Sequence, residues 1–417
     1  MPQLRHVRYS ETIMLKQSLF KLLTFSSVLA VVLLASCAQP GREKDGSELL
    51  SPIPNYGAAP LIRVKLSKPS ELSAVTVKSD KATLMLDGRR MDIEGDIKLT
   101  HADGAIDAGS YGRATSVEIT PRGKPAYFDV EGRIYRGKLR LIATSTGWEA
   151  VNVVDMEQYV AGVIGWEMIA GWPVEALKAQ AIASRTYALF EMERRRGSGD
   201  NWDLDDTTQF QVYGGVGPAD NPKHWRETAN VLAARQATSG MVLTYHGKGF
   251  RAYFHSTSGG ATTDPATALL VDDVIEPLKG VELGEFDKES PKANWEIRLP
   301  EGEVKARLIE KGVTPSDIIR VESNETSSSG HAITLKLYDR TGHHRVVSAV
   351  AIRQALGLFS TRFSAVKNGD EWVFTGKGYG HGCGMCQWSA RGMAKAGWDS
   401  DRILGTMYPG SELKSIY

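Results

Sequence analysis

Residues Val151–Met168 read VNVVDMEQYVAGVIGWEM, and within this stretch the chain changes its period. VNVV has the β-branched character of a strand. Asp155 follows, with Gln158 three residues later, the pattern of a helix N-cap with a capping box. Met156, Tyr159, Val160, Val163 and Ile164 then recur at helical spacing. Glu167 stands seven residues after Val160 and four after Val163, so a helix reaching that far carries a carboxyl on its apolar stripe. Gly162 and Gly165 weaken its last turn.

Upstream, the pattern alternates. IRVKL, AVTVK, ATLML, SVEIT, AYFDV and LRLIA are short β-type runs, with LDGRR, HADGAIDAGS and PRGKP as turns between them. Downstream, Pro173 opens a long helix, PVEALKAQAIASRTYALFEMERRR, small or apolar on nearly all sides and therefore central and buried. WDLDDTTQFQVYGG follows as a loop, NPKHWRETANVLAARQATSG as a helical segment, and MVLTYHG and FRAYFHSTSGG as strands. Residues 290–375 mix strands (NWEIRLP, AITLKLYD, EWVFTG) with helices (EGEVKARLIEKG, SAVAIRQALG). GYGHGCGMCQWSARGMAKAG is a Gly-rich loop entering a helix. The expected fold class is α+β: a β-rich N-terminal region over 61–145, then a mixed region over 146–417 built around the buried helix.

The chain has 417 residues, 42% of them apolar and 24% charged, an ordinary globular balance that suits roughly two or three domains. A net charge of +1 argues against nucleic acid as a partner. Arg5, Arg8, Lys16 and Lys21 precede LLTFSSVLAVVLLASC, too short for the roughly 20 residues of a spanning helix. This is a secretory layout over 1–36, and LASC is similar to a lipobox with Cys37 as the lipidated residue. Met14 is an alternative start, with a tidier basic region. Acyl chains on Cys37 would hold a membrane surface at about 0.8 kcal/mol per buried methylene. Residues 37–60, rich in Gly and Pro, read as a flexible tether. The expectation is an exported, lipid-anchored envelope protein, at the outer membrane and facing the periplasm.

Several residues have the chemistry of a site. A carboxyl on an apolar stripe has its charged form disfavoured, which suits Glu167 to general-acid work near neutral pH. Lys178 and Arg185 share one face of the buried helix. They fit either a structural ion pair or an anionic ligand group. His255 with Ser256 or Ser258 lacks the G-x-S-x-G elbow of a serine hydrolase. His381, Cys383 and Cys386 leave open a partial zinc site, a disulfide, buried thiols or a Cys nucleophile. Asp205 and Asp206 fit a second carboxylate or a turn.

Taken together and in this order, VNVVDMEQYVAGVIGWEM, WPVEALKAQAIASRTYAL, DDTTQFQVYGG, AYFHSTSGG and GYGHGCGMCQWSARGMA resemble the SpoIID/LytB family, named for stage II sporulation protein D. QALGLFSTRF and ILGTMYPGSEL resemble its C-terminal part, and the likeness runs from about Leu61 to the end. It implies a catalytic region over 146–417, with core motifs in 151–265 and 376–410. It further implies a peptidoglycan lytic transglycosylase that cleaves MurNAc–GlcNAc bonds of denuded strands and leaves 1,6-anhydro ends. The alternative it carries is a non-catalytic wall-binding protein or amidase enhancer. Glu167 matches the family's single acid/base, and Arg185 a residue tied to glycan binding or catalysis. Lys178, Gln180, Tyr213, His255, Ser258, His381, Gln387 and Trp388 are expected around the glycan, with Lys178 and Arg185 meeting the lactyl carboxylate. The implied partners are glycan strands, a membrane through the lipid, and a peptidoglycan amidase. No cofactor is implied. Some members carry zinc in a loop resembling DLCDTTHCQVY. Here Asp205, Gln209 and Phe210 replace its Cys, His and Cys, which implies no metal site there. GHGCGMCQ departs from the usual GHGVGMSQ at Cys383 and Cys386.

Overall fold

The computed structural model describes residues 50–417, apart from 273 and 314–316. The signal, lipobox and most of the tether expected from the sequence lie outside the described residues.

The alternating runs form two seven-stranded sheets. One has the strand order Leu204–Asp205, Leu61–Lys65, Trp148–Asp155, Lys138–Ala143, Ser116–Pro121, Lys81–Leu86 and Arg89–Glu94. The other runs Gly217–Pro218, Arg133–Tyr135, Phe128–Val130, Ala74–Lys78, Ile97–Ala102, Ala105–Asp107 and Arg113–Ala114. Alternate residues such as Val117, Ile119, Leu139 and Leu141 are buried, as a two-residue period requires. Each sheet takes an edge strand from the segment after the long helix. Leu204–Asp205 joins one in parallel and Gly217–Pro218 the other antiparallel. The loop between them is thereby fixed at both ends.

Helix α1 spans Met156–Glu167, and the Asp155 carboxylate caps it by accepting from the backbone N–H groups of Glu157 and Gln158. It passes through both glycines without a break. Helix α2, Val174–Arg195, begins one residue after Pro173 and is buried on nearly every side. It packs against α1, α3 (Ala229–Ala237) and the strand Met241–Thr244. Tertiary packing, rather than an amphipathic stripe, therefore holds it.

A second, smaller core is made by Trp295, Val304, Leu308, Leu335, Leu337, Ile352, Leu356, Trp372 and Phe374. It comprises α4 (Glu301–Glu310), α5 (Ala349–Leu356) and two three-stranded sheets. Helices α6 (Gln387–Lys395) and α7 (Ser400–Met407) return the chain to α2, and the strand Glu412–Ser415 pairs with Met241–Thr244. FRAYFHSTSGG forms much less strand than its sequence suggests: only Phe254–His255, paired in parallel with Met385–Cys386. That short pairing joins the two Gly-rich motifs and sets Gln387 at the start of α6.

Candidate active site

Glu167 is the last residue of α1 and opens into a cleft of about 240 Å³. Trp166, Arg226, Trp172, Trp388, Gln387 and Ser256 line the cleft. Met168 and the exposed Ile169 complete the lining. Glu167 is the one acidic residue among them.

The carboxyl is held from two sides. Oε1 accepts from the Val212 backbone N–H at 2.7 Å, and Oε2 from the Gln387 side-chain amide at 3.4 Å. Burial raises its pKa above the usual carboxylate range, and these two donors oppose the rise only in part. Gln180, fully buried on α2, accepts from the same Gln387 amide at 3.3 Å and donates to Ser184 Oγ at 2.9 Å. Gln180 therefore orients Gln387 from behind rather than touching a ligand.

The close approach of α1 to the 211–226 segment depends on small residues. A Cβ on Gly165 would lie 2.5 Å from the Arg226 carbonyl oxygen, and one on Gly214 would lie 2.2 Å from the Trp166 ring. Trp166 Nε1 donates to the Gly215 carbonyl at 3.1 Å, which pins the indole beside the acid. In the same lining, the Trp172 and Trp388 rings meet edge to face at 4.9 Å. Arg391 lies over Trp388 at 4.9 Å and is paired with Glu289.

Several expected ligand residues sit elsewhere. Arg185 is wholly buried, with Nε and Nη2 on the two oxygens of Glu157 at 2.7 and 2.8 Å and Nη1 on the Met241 carbonyl at 2.9 Å. It is an internal ion pair, because a guanidinium taken out of water needs a carboxylate. Lys178 is paired with Glu175 at 2.7 Å. The expectation that these two meet a sugar carboxylate is thus corrected. Tyr213 is not a groove wall: it is buried, and its hydroxyl donates to Asn152 at 2.7 Å.

His255, Ser258 and His381 brace the Gly-rich loops. His255 Nδ1 meets the Cys383 carbonyl at 3.1 Å, and Ser258 Oγ donates to Asp287 at 2.8 Å. His381 uses Nε2 on the Phe254 carbonyl and Nδ1 on the Cys383 N–H. Burial lowers both histidine pKa values to about 3, so the rings are neutral; both His381 nitrogens are engaged, whereas His255 Nε2 is buried without a hydrogen-bond partner among the described residues. Cys386 is a buried thiol and not part of a disulfide. Its Sγ accepts from Ser258 N–H and caps α6 through Ser389 N–H. Burial raises its pKa to about 11, which leaves no thiolate for nucleophilic work. Among the described residues no group of His, Cys, Asp and Glu side chains is arranged to hold a metal. Asp205 and Asp206 close a turn: Asp205 accepts from Thr207, and Asp206 from the Ser67 N–H.

Trp166, Trp172 and Arg226 were not singled out from the sequence, and Ser256 was weighed there only as a hydrolase nucleophile, not as part of this cleft. The two tryptophans flank Glu167 in WEMIAGW, a signal that local reading could have used. Nothing around Arg226 marks it; only the packing on Gly165 brings it in.

Comparison with known proteins adds a lineage. The stage II sporulation protein (SpoIID) family model matches residues 144–245, and a domain of unknown function (DUF8618) matches 282–384. The chain is 33% identical over 288 residues to stage II sporulation protein D of Bacillus subtilis, spanning 64% of this chain and 77% of that protein. It is 31% identical over 286 residues to an uncharacterized protein of Brachyspira hyodysenteriae, covering 69% and 74%. It is 28% identical over 298 residues to the amidase enhancer of Bacillus subtilis, spanning 61% of this chain but 40% of that one.

Proposed function

Because the chain belongs to the stage II sporulation protein D family, we propose that it is a peptidoglycan lytic transglycosylase cleaving MurNAc–GlcNAc bonds of denuded glycan strands. The observation that carries this reading is Glu167: a half-buried carboxyl of raised pKa, the one acid in a cleft walled by tryptophans. Aromatic faces suit the apolar faces of sugar rings, and the open cleft suits a long strand.

Hydrolytic glycosidases ordinarily need two carboxyl groups, one for the leaving oxygen and one for water or the anomeric carbon. An intramolecular transfer needs one. Protonated Glu167 gives its proton to the glycosidic oxygen as the C1–O bond breaks. The resulting carboxylate, steadied by the Val212 N–H and the Gln387 amide, takes the proton from the sugar's own C6 hydroxyl as O6 bonds to C1. The acid is regenerated, no water is consumed, and a 1,6-anhydro ring closes. The roles require a group protonated before the first transfer and basic after it, which fits a pKa pushed toward neutrality.

The second reading is a glycan-binding amidase enhancer, favoured by the 28% identity to the relative of that name. Pull-down of denuded glycan by wild type, with no cleavage under any condition, would support it over the enzyme.

For the N-terminus the proposal is a lipid anchor at Cys37, which places the enzyme on an envelope membrane, the outer one facing the periplasm. Radiolabelled palmitate should enter the wild type and not Cys37→Ser, and Cys37→Ser should leave the membrane fraction. Equal labelling of both would rule the anchor out.

A further inference from the structure

The cleft continues past Trp166 into a second cavity of about 440 Å³, and Trp166 and Arg226 line both. Arg133 and His224 extend the lining. The Arg133 guanidinium lies 4.5 Å from the Trp166 ring centre and that of Arg226 lies 5.3 Å from it. Both arginines are exposed. Other cations near the cleft are committed to carboxylates: Lys178 to Glu175, Arg185 to Glu157, Arg136 to Glu227 and Arg391 to Glu289. Among the described residues, no carboxylate lies within 4 Å of either Arg133 or Arg226. Glu131, the one acid lining this second cavity, reaches Lys68 at 3.7 Å.

The position is built into the fold. Arg133 stands on the strand Arg133–Tyr135, in register with Pro218 of the edge strand that closes the site loop. Arg226 is held by its N–H on the Val216 carbonyl at 2.8 Å, with its backbone against Gly165. Arg133 also reaches the Tyr135 hydroxyl, but two guanidiniums at one aromatic ring, neither paired with a carboxylate among the described residues, fit a sugar ring bearing a carboxylate, since the fork binds carboxylates through paired hydrogen bonds.

We propose that Arg133 and Arg226, laid over Trp166 beside Glu167, form a subsite for the acidic sugar of the glycan and thereby set which bond reaches the acid. In peptidoglycan the acidic sugar is the lactyl-bearing one, so the inference rests on the glycan reading above. It assigns to this pair the role that Lys178 and Arg185 do not fill.

The test uses denuded glycan with native carboxyls and the same glycan with its carboxyls reduced to alcohols. Binding is measured in a Glu167→Gln background, which makes it independent of cleavage. Native glycan should bind roughly tenfold more tightly than reduced glycan, the scale of one charge-assisted hydrogen bond. Arg133→Gln should abolish that preference while leaving reduced glycan unchanged, and Arg133→Lys should restore part of it. With active enzyme, Arg133→Gln should lower kcat/KM for native glycan roughly tenfold, and Arg133→Lys should recover part of it. Equal binding of the two glycans, or an equal loss on both in Arg133→Gln, would overturn the subsite. Wild type that binds with the carboxyl preference but cleaves nothing would reject the enzyme reading and retain the subsite.

Discussion

Glu167 is placed where a carboxylate is uncomfortable, and that discomfort should be measurable without any substrate. Its folded pKa is raised, so the ionised form burdens the native state. Below the unfolded carboxylate pKa both states are protonated and the burden is absent. It grows as pH rises toward the folded pKa and is constant above it. Glu167→Gln should therefore melt higher than wild type near neutral pH and equally with it in strong acid. Calorimetry at the two pH values checks this; an unchanged or lower melting temperature at neutral pH would mean the carboxylate is well solvated. Gln387 acts in the opposite sense, because its amide favours the ionised form. Gln387→Leu should move the alkaline limb of kcat/KM to higher pH, since the acid then stays protonated longer. A limb that stays in place would remove Gln387 from the acid's environment.

At the scale of elements, the α1–α2 pair is locked by Glu157 and Arg185. Glu157 Oε1 also accepts from the Tyr417 hydroxyl and, at 3.3 Å, from the Gly240 N–H, so one carboxylate ties two helices, a turn and the C-terminus. Arg185→Met should destabilise by about 3–5 kcal/mol, the penalty for leaving a buried charge unpaired. Lys178→Met, at a half-exposed pair, should cost about 1 kcal/mol or less. Denaturant titration distinguishes them; equal small losses would contradict the internal lock. Gly165→Ala should cost about 1–3 kcal/mol by overpacking against Arg226 and reduce cleavage more than the folded fraction falls. Full activity in that variant would show that the 211–226 segment can shift harmlessly.

The Asp155 cap, the reach of α1 to Glu167 and the buried α2 were legible because each is encoded by near neighbours. Whether Arg185 turned toward a ligand or toward Glu157 was not. Those residues lie 28 positions apart, and spacing along one helix says nothing of what faces it.

At the scale of the molecule, the sheets and the site are one construction. The loop carrying Val212 and Gly214 is strung between edge strands of the two sheets, and Arg133 comes from within one of them. Alternating runs announced most of the long strands. The two-residue edge strands were silent, since they form only because a partner edge is present. The tail motif was visible as a loop entering a helix, but its seat beside α1 depends on the pairing of Met385–Cys386 with Phe254–His255, more than a hundred residues away. The sequence therefore marked the acid, Gln387 and Trp388, while tertiary packing brought Arg226 to them and set Trp172 against Trp388.

The central claim is that one carboxyl cleaves a glycan strand without water. Mass spectrometry of products from intact and denuded peptidoglycan, treated with wild type and with Glu167→Gln, tests it most directly. The account predicts anhydro-MurNAc ends from wild type on denuded strands, and a loss of at least about a hundredfold in Glu167→Gln. Reducing ends from wild type, or undiminished anhydro products from Glu167→Gln, would contradict it.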